Sequence, residues 1–135
     1  MTCVGVAEVN FSDMLVKIRE RQPVGLFRMA WAMDYPSMEN FLGPLYSSTG
    51  SANLNGYRNP EFDALLREGS QAPTLEESIA KYQAAEDILA RDLPVLPLRV
   101  GQNSYGHSEH VRNVRIDILG GINLLDIELV GSGKR

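Results

Sequence analysis

Cys3 is the single cysteine in 135 residues, so no internal disulfide can form and bridges carry no signature of redox compartment. Long apolar runs are missing as well. No segment approaches the roughly 18 apolar residues of a membrane span. Met1-Thr2-Cys3-Val4-Gly5-Val6 lacks the charged start and apolar stretch of a signal peptide, so as written the polypeptide is expected to have no route out of the cytoplasm. Blocks of lysine or arginine are absent. Thirteen basic residues stand against 17 acidic ones, a net charge of −4, which argues against nucleic acid or an anionic membrane as the main partner. There is no G-x-S-x-G elbow, H-E-x-x-H helix or phosphate-binding glycine loop, so nucleophilic, metal-dependent and phosphoryl chemistry have no motif to stand on. Internal repeats and low-complexity segments are also missing.

What is present is enough for a core. With 44% hydrophobic residues, a chain of this length can bury about two thirds of its unfolded surface and should form one globular unit. Residues 4–9 read as a short strand. Ser12 then suits an N-cap, with Phe11 stapling against Val16, and a helix follows to about Arg21 with an apolar stripe of Met14, Leu15 and Ile18. Pro23 and Gly25 separate it from residues 25–31, where Phe27, Met29 and Trp31 alternate with Arg28 and Ala30 as in a strand with one apolar face. Together these predict a β-α-β unit.

Further along, Phe41, Leu42 and Leu45 mark a short helical piece, and residues 47–51 have the composition of a mobile polar loop. Asn59 fits an N-cap and Pro60 the first helical position, with Phe62, Leu65 and Leu66 facing inward and Gly69 as the stop. Thr74 and Glu77 form a capping box that opens the longest helix. Its apolar face is predicted at Leu75, Ile79, Tyr82, Ala85 and Leu89, and Asp92-Leu93-Pro94 ends it. Residues 95–100 read as a buried strand that Pro97 places at an edge or crossing. Two more strands, over 114–119 and 122–130, are predicted around a Gly120-Gly121 turn, with a frayed tail over 131–135.

The densest chemistry lies in Trp31-Ala32-Met33-Asp34-Tyr35-Pro36. A strand bearing an aromatic ends there in a carboxylate beside a proline turn, a place to hold a ligand's positive charge. The competing reading is that Asp34 merely caps or braces the Pro36 turn. Elsewhere, His107-Ser108-Glu109-His110 offers two imidazoles and a carboxylate, but histidines three apart in a polar stretch are ordinarily surface residues, and no metal site is assigned. Glu61, Asp63, Glu68, Glu76, Glu77, Glu86 and Asp87 fall on helix faces where solvated charge is the default.

Five segments occur in one order along the chain: Trp31-x-x-Asp34-Tyr35-Pro36, Phe41-Leu42, Asn55-x-Tyr57-x-Asn59-Pro60-x-Phe62-Asp63-x-Leu65-Leu66, Tyr82-x-x-Ala85-Glu86-x-Ile88-Leu89 and Pro94-Val95-Leu96-Pro97-Leu98. This series resembles the C-terminal part of the family 5 extracellular solute-binding proteins, the oligopeptide- and dipeptide-binding receptors of ABC importers. The resemblance implies an α/β fold, the C-terminal portion of the second lobe of a two-lobed, type II periplasmic-binding-protein-like receptor. Residues 1–101 would belong to that lobe, and residues 102–135 would return through the hinge to the first lobe. It also implies a binder with no cofactor and no catalysis.

By the same resemblance, Asp34 pairs with a peptide's α-amino group, the main chain at Ala30 and Ala32 pairs with the extended ligand as an added strand, and Trp31 contributes to the pocket wall or to the core. Arg28, on the opposite face, could receive a ligand carboxylate through its planar fork. The implied partners are a small peptide, the missing N-terminal lobe and the permease subunits of the transporter. The implied location is periplasmic or membrane-associated outside the cell. The chain also departs from the pattern. Arg99, Val100 and Gly101 stand where aromatic residues often follow the P-x-x-P-L segment, and no lipobox precedes Cys3. Two other readings stay open: a truncated remnant or interaction module that self-associates through the exposed lobe face, and a hydrolase using Asp34 with a nearby Glu as acid and base.

Overall fold

The computed structural model describes residues 4–5, 10–22 and 24–131. Two capped helices build its core. Asn59 is extended (φ −146°, ψ 112°), and its Oδ1 accepts from the main-chain N–H groups of Glu61 and Phe62 at 3.0 and 3.2 Å. Pro60 follows in the first turn, where its missing N–H leaves no bond unmade. Thr74 does the same for the next helix, its Oγ1 accepting from the Glu77 N–H at 3.2 Å. Counting from the N-terminus, the helices are α1 (Phe11–Arg19), α2 (Glu39–Tyr46), α3 (Pro60–Gln71) and α4 (Leu75–Asp92). Leu42 from α2, Phe62 and Leu66 from α3, and Tyr82, Ala85 and Ile88 from α4 form one buried cluster.

Several sequence expectations change here. The cap of α1 is Asn10, not Ser12: the Asn10 Oδ1 takes the Ser12 N–H at 3.0 Å, which draws Phe11 into the helix. Phe11 and Val16 are both exposed, so no staple forms. The buried seam of α4 steps through Tyr82, Ala85 and Ile88, leaving Leu75 76% exposed and turning Ile79 to its flank. Gly69 is no stop. Helix α3 runs on to Gln71, and Gly69 lies buried beneath the Tyr82 ring, where a Cβ would stand 2.6 Å from Cε1. Helix α4 ends where Asp92-Leu93-Pro94 was expected to end it: Leu93 is left-handed (φ 45°), and its N–H bonds the Leu89 carbonyl at 2.9 Å ahead of Pro94.

The predicted strands fare less well. Residues 25–31 and 95–100 form no β-ladder among the described residues, so the β-α-β unit is not realised. The reason is physical: a strand is stable only when a neighbour satisfies its backbone groups, and no described residue pairs with either segment. Leu96, Leu98 and Val100 face solvent, the last 97% exposed. Most of the strand expected over 4–9, Pro23 and residues 132–135 lie outside the described residues.

At the C-terminal end the Gly120-Gly121 turn forms as expected. Gly120 is left-handed (φ 85°), and the Asp117 Oδ1 accepts from the N–H groups of Leu119 and Gly121, each at 2.8 Å. The ladder around it is much shorter than predicted: an Ile116–Ile122 bridge, then β1 (Val111–Arg112) antiparallel to β2 (Glu128–Leu129). Asn123 interrupts it. Its Oδ1 takes the Leu125 N–H at 3.2 Å and its Nδ2 reaches Asp126 at 2.6 Å, closing a 3-10 turn over Leu124–Asp126 in place of strand pairing.

The polar loop after α2 is stitched down. Asn53 donates to the carbonyls of Ser47 and Tyr57 at 2.9 and 2.8 Å, and its Oδ1 accepts from the N–H groups of Gly56 and Tyr57. Asp63 accepts from the Ser48 N–H at 2.9 Å.

The loop is also tied to the end of α4. The Tyr57 hydroxyl and the Asn59 Nδ2 both donate to Asp92 Oδ2, at 2.7 and 2.9 Å, and the Arg91 Nε donates to Oδ1 at 3.0 Å. These donors, Tyr57 foremost, hold the Asp92 carboxyl down to about 2 from its ordinary 3.8. Burial first, and then the bond to Asp92, pushes the Tyr57 hydroxyl up to about 12. Folding therefore favours ionised Asp92 and neutral Tyr57. The Asp92 contribution is present above pH 3.8 and lost as pH falls through about 2; that of Tyr57 is present below pH 10 and lost as pH rises through about 12. Replacing Asp92 by Asn is expected to flatten the acid limb of stability between about pH 4 and pH 2. Urea midpoints measured across that range check it, and parallel slopes for the two proteins would contradict it.

Candidate functional site

The start of α2 organises the segment that sequence reading singled out. Ser37 prepares the helix: its Oγ accepts from the Glu39 N–H at 3.2 Å and its carbonyl from the Asn40 N–H at 3.1 Å. In the first turn of α2, Asn40 is 2% exposed, the one buried polar side chain among the described residues. Its Oδ1 accepts from the Asp34 main-chain N–H at 2.9 Å and from the Trp31 indole Nε1 at 3.4 Å, while its carbonyl takes the same indole N–H at 3.1 Å. Trp31 and Asp34 are thus brought together through a residue that follows both.

Asp34 itself is exposed, and its carboxylate accepts no hydrogen bond among the described residues. The turn is braced by Asn40, not by Asp34. Next to it, the Tyr35 hydroxyl donates to Glu39 Oε2, and that bond is the main cause of the raised Tyr35 pKa.

The other sequence-predicted residues lie on the approach to this turn. Ala30 and Ala32 are exposed, and their main-chain groups make no hydrogen bond among the described residues. Trp31 is 37% exposed and lies outside the buried core cluster. Arg28 is exposed and makes no ion pair with a described residue. His107 and His110 are exposed, and no set of three or more His, Cys, Asp or Glu among the described residues is placed to hold a metal ion. Among the same residues, no helix is long and apolar enough to cross a membrane.

Sequence reading missed Asn40. The available signal was its place beside Phe41 and Leu42, since an amide on the apolar side of a short helix needs partners from elsewhere.

No family model matches the chain. Curated relatives do. The periplasmic murein peptide-binding protein MppA of Escherichia coli is 36% identical over 73 residues, covering 54% of this chain and 13% of that protein. The probable ABC transporter periplasmic-binding protein SapA of Escherichia coli is 37% identical over 104 residues, 69% of this chain and 19% of its own length. Heme-binding protein A of Haemophilus influenzae is 36% identical over 76 residues, 55% of this chain and 14% of that protein. The chain therefore spans under a fifth of the length of these relatives.

Proposed function

Because the chain is related, over part of its length, to the family 5 periplasmic peptide-binding proteins, we propose that it is a portion of the substrate-binding component of an ABC importer for peptides. Asp34 holds the ligand's α-ammonium, and the main chain at Ala30 and Ala32 pairs with the extended peptide as an added strand. Trp31 forms part of the wall beside it, and Arg28 is the candidate for the ligand's carboxylate. Residues up to 101 belong to the second lobe and those from 102 lead back to the first. The permease subunits receive the closed receptor. Binding is the whole of its chemistry.

The observation that carries this reading is the Asp34 carboxylate, exposed and, among the described residues, unbonded at the end of a segment whose main chain is likewise unpaired. Magnitudes decide what it can do. An exposed ion pair is worth about 0–1 kcal/mol, whereas removing one partner of a buried pair costs about 3–5 kcal/mol. The carboxylate therefore grips an ammonium only when a second lobe shuts water out. The isolated chain is expected to bind di- to pentapeptides more weakly than about 1 mM, roughly −4 kcal/mol; micromolar binding by isothermal titration would contradict that.

The decisive experiment replaces the corresponding segment of MppA with that of this chain. The chimera is expected to bind peptide, and Asp34→Asn in it to weaken binding by about a hundredfold or more. A folded chimera that binds no peptide would overturn the receptor reading. Unchanged affinity in Asp34→Asn would overturn the role of that side chain.

A further inference from the structure

We propose that Asn40 and Pro36 are positioning residues that keep the Asp34 carboxylate free of the protein's own hydrogen bonds, so that it stays available to an external cation. What the carboxylate is kept free for rests on the receptor reading above; how it is kept free does not.

An aspartate before a turn ordinarily folds back on its own backbone, accepting from the N–H two or three residues on. Each such donor is removed here. Two residues on stands Pro36, which has no N–H. Three residues on, the Ser37 N–H is already given to the Tyr35 carbonyl at 2.8 Å. The N–H of Asp34 itself goes to the Asn40 Oδ1 at 2.9 Å. The Asp34 and Ser37 N–H groups are thus taken without the carboxylate, and position 36 has none to give.

Asn40 is suited to that task because it is held from both sides. Its own N–H is anchored on the Ser37 carbonyl at 3.1 Å, and it lies buried within α2. A buried amide left unmatched is costly, so its oxygen holds the two donors, the Asp34 N–H and the Trp31 indole, in fixed relation. The same oxygen that braces the turn sets the indole beside it. A neutral carboxamide also does this without adding a second negative charge next to Asp34.

Amide hydrogen exchange on the full chain tests both halves, with no peptide present. In Asn40→Ala the Asp34 amide is expected to exchange about tenfold faster or more, while amides of α3 and α4 keep their rates. Asn40→Asp retains the acceptor and is expected to restore protection to within about threefold. In Pro36→Ala the carboxylate gains a local donor, so the amide introduced at position 36 is expected to be protected about tenfold, and that protection to vanish in the double variant D34A/P36A.

An Asp34 amide indifferent to Asn40→Ala, or an unprotected amide at position 36 in Pro36→Ala, would overturn the proposal. Should Asn40→Ala fail to fold, Asn40→Asp and Pro36→Ala decide it by the same readouts. A failed peptide assay in the chimera would leave these bonds standing. A failure here would leave the receptor reading to its own test.

Discussion

Phe62→Ala is expected to destabilise the chain by about 3–5 kcal/mol, the cost of emptying a fully buried aromatic site. Phe62 is 0% exposed and lies at the centre of the cluster that joins α2, α3 and α4. Its ring meets Tyr57 edge-on, with centroids 5.8 Å apart at 76°, a geometry worth about 0.5–1.5 kcal/mol beyond the area it buries. That cluster is small and the exposed apolar surface is large. Against a total stability of about 5–15 kcal/mol for an ordinary domain, losing this one ring should remove a large share of the stability of the helices. Phe62→Leu fills most of the space and should cost about 1–1.5 kcal/mol. Leu96→Ala, on an exposed residue, should stay within about 0.5 kcal/mol. Urea denaturation followed by far-ultraviolet circular dichroism orders the three. A Phe62→Ala protein as stable as the parent would mean that the buried cluster is not the seat of stability.

Gly69→Ala is expected to destabilise as well, although helix propensity alone says the opposite. In an exposed helix interior, replacing glycine by alanine gains about 1 kcal/mol. Gly69 is helical and buried, and its added methyl would stand 2.6 Å from Cε1 and 3.0 Å from Cδ1 and Cζ of Tyr82. Tyr82 is itself buried in the core, so its ring cannot swing clear without disturbing Ala85 and Ile88 on the same seam. Overpacking of this kind costs about 1–3 kcal/mol, and the net sign is destabilising. Pairing it with Tyr82→Leu separates the causes: with the ring removed, the second substitution should become neutral or favourable. A double-mutant cycle showing simple additivity would rule out the Gly69–Tyr82 contact as the origin.

These two residues illustrate how sequence reading works and where it stops. Phe62 was legible because its spacing with Leu65 and Leu66 marks one face of a helix whose start Asn59 and Pro60 announce. Gly69 was read as a helix stop because glycine near the end of a periodic run usually is one. Its actual neighbour, Tyr82, belongs to the next helix, and no local rule names it. Asp34 shows the same division. Its type and its place before Pro36 marked it as chemistry, but that its N–H goes to Asn40 and the Ser37 N–H to the Tyr35 carbonyl was visible only in the fold.

By itself, the sequence determined α3 and α4 with their N-caps, the turn at Gly120 and a similarity over part of the chain to periplasmic peptide-binding proteins. Those features depend on bonds between a side chain and a backbone group a few residues away, or on motifs kept in order. Only the tertiary structure decided that residues 25–31 and 95–100 stand without a ladder among the described residues, that Gly69 seats an aromatic ring, and that Asn40 braces the turn at Asp34. Alternating apolar residues record a capacity to pair. Whether a strand forms is settled by whether another backbone lies about 5 Å away to complete its hydrogen bonds.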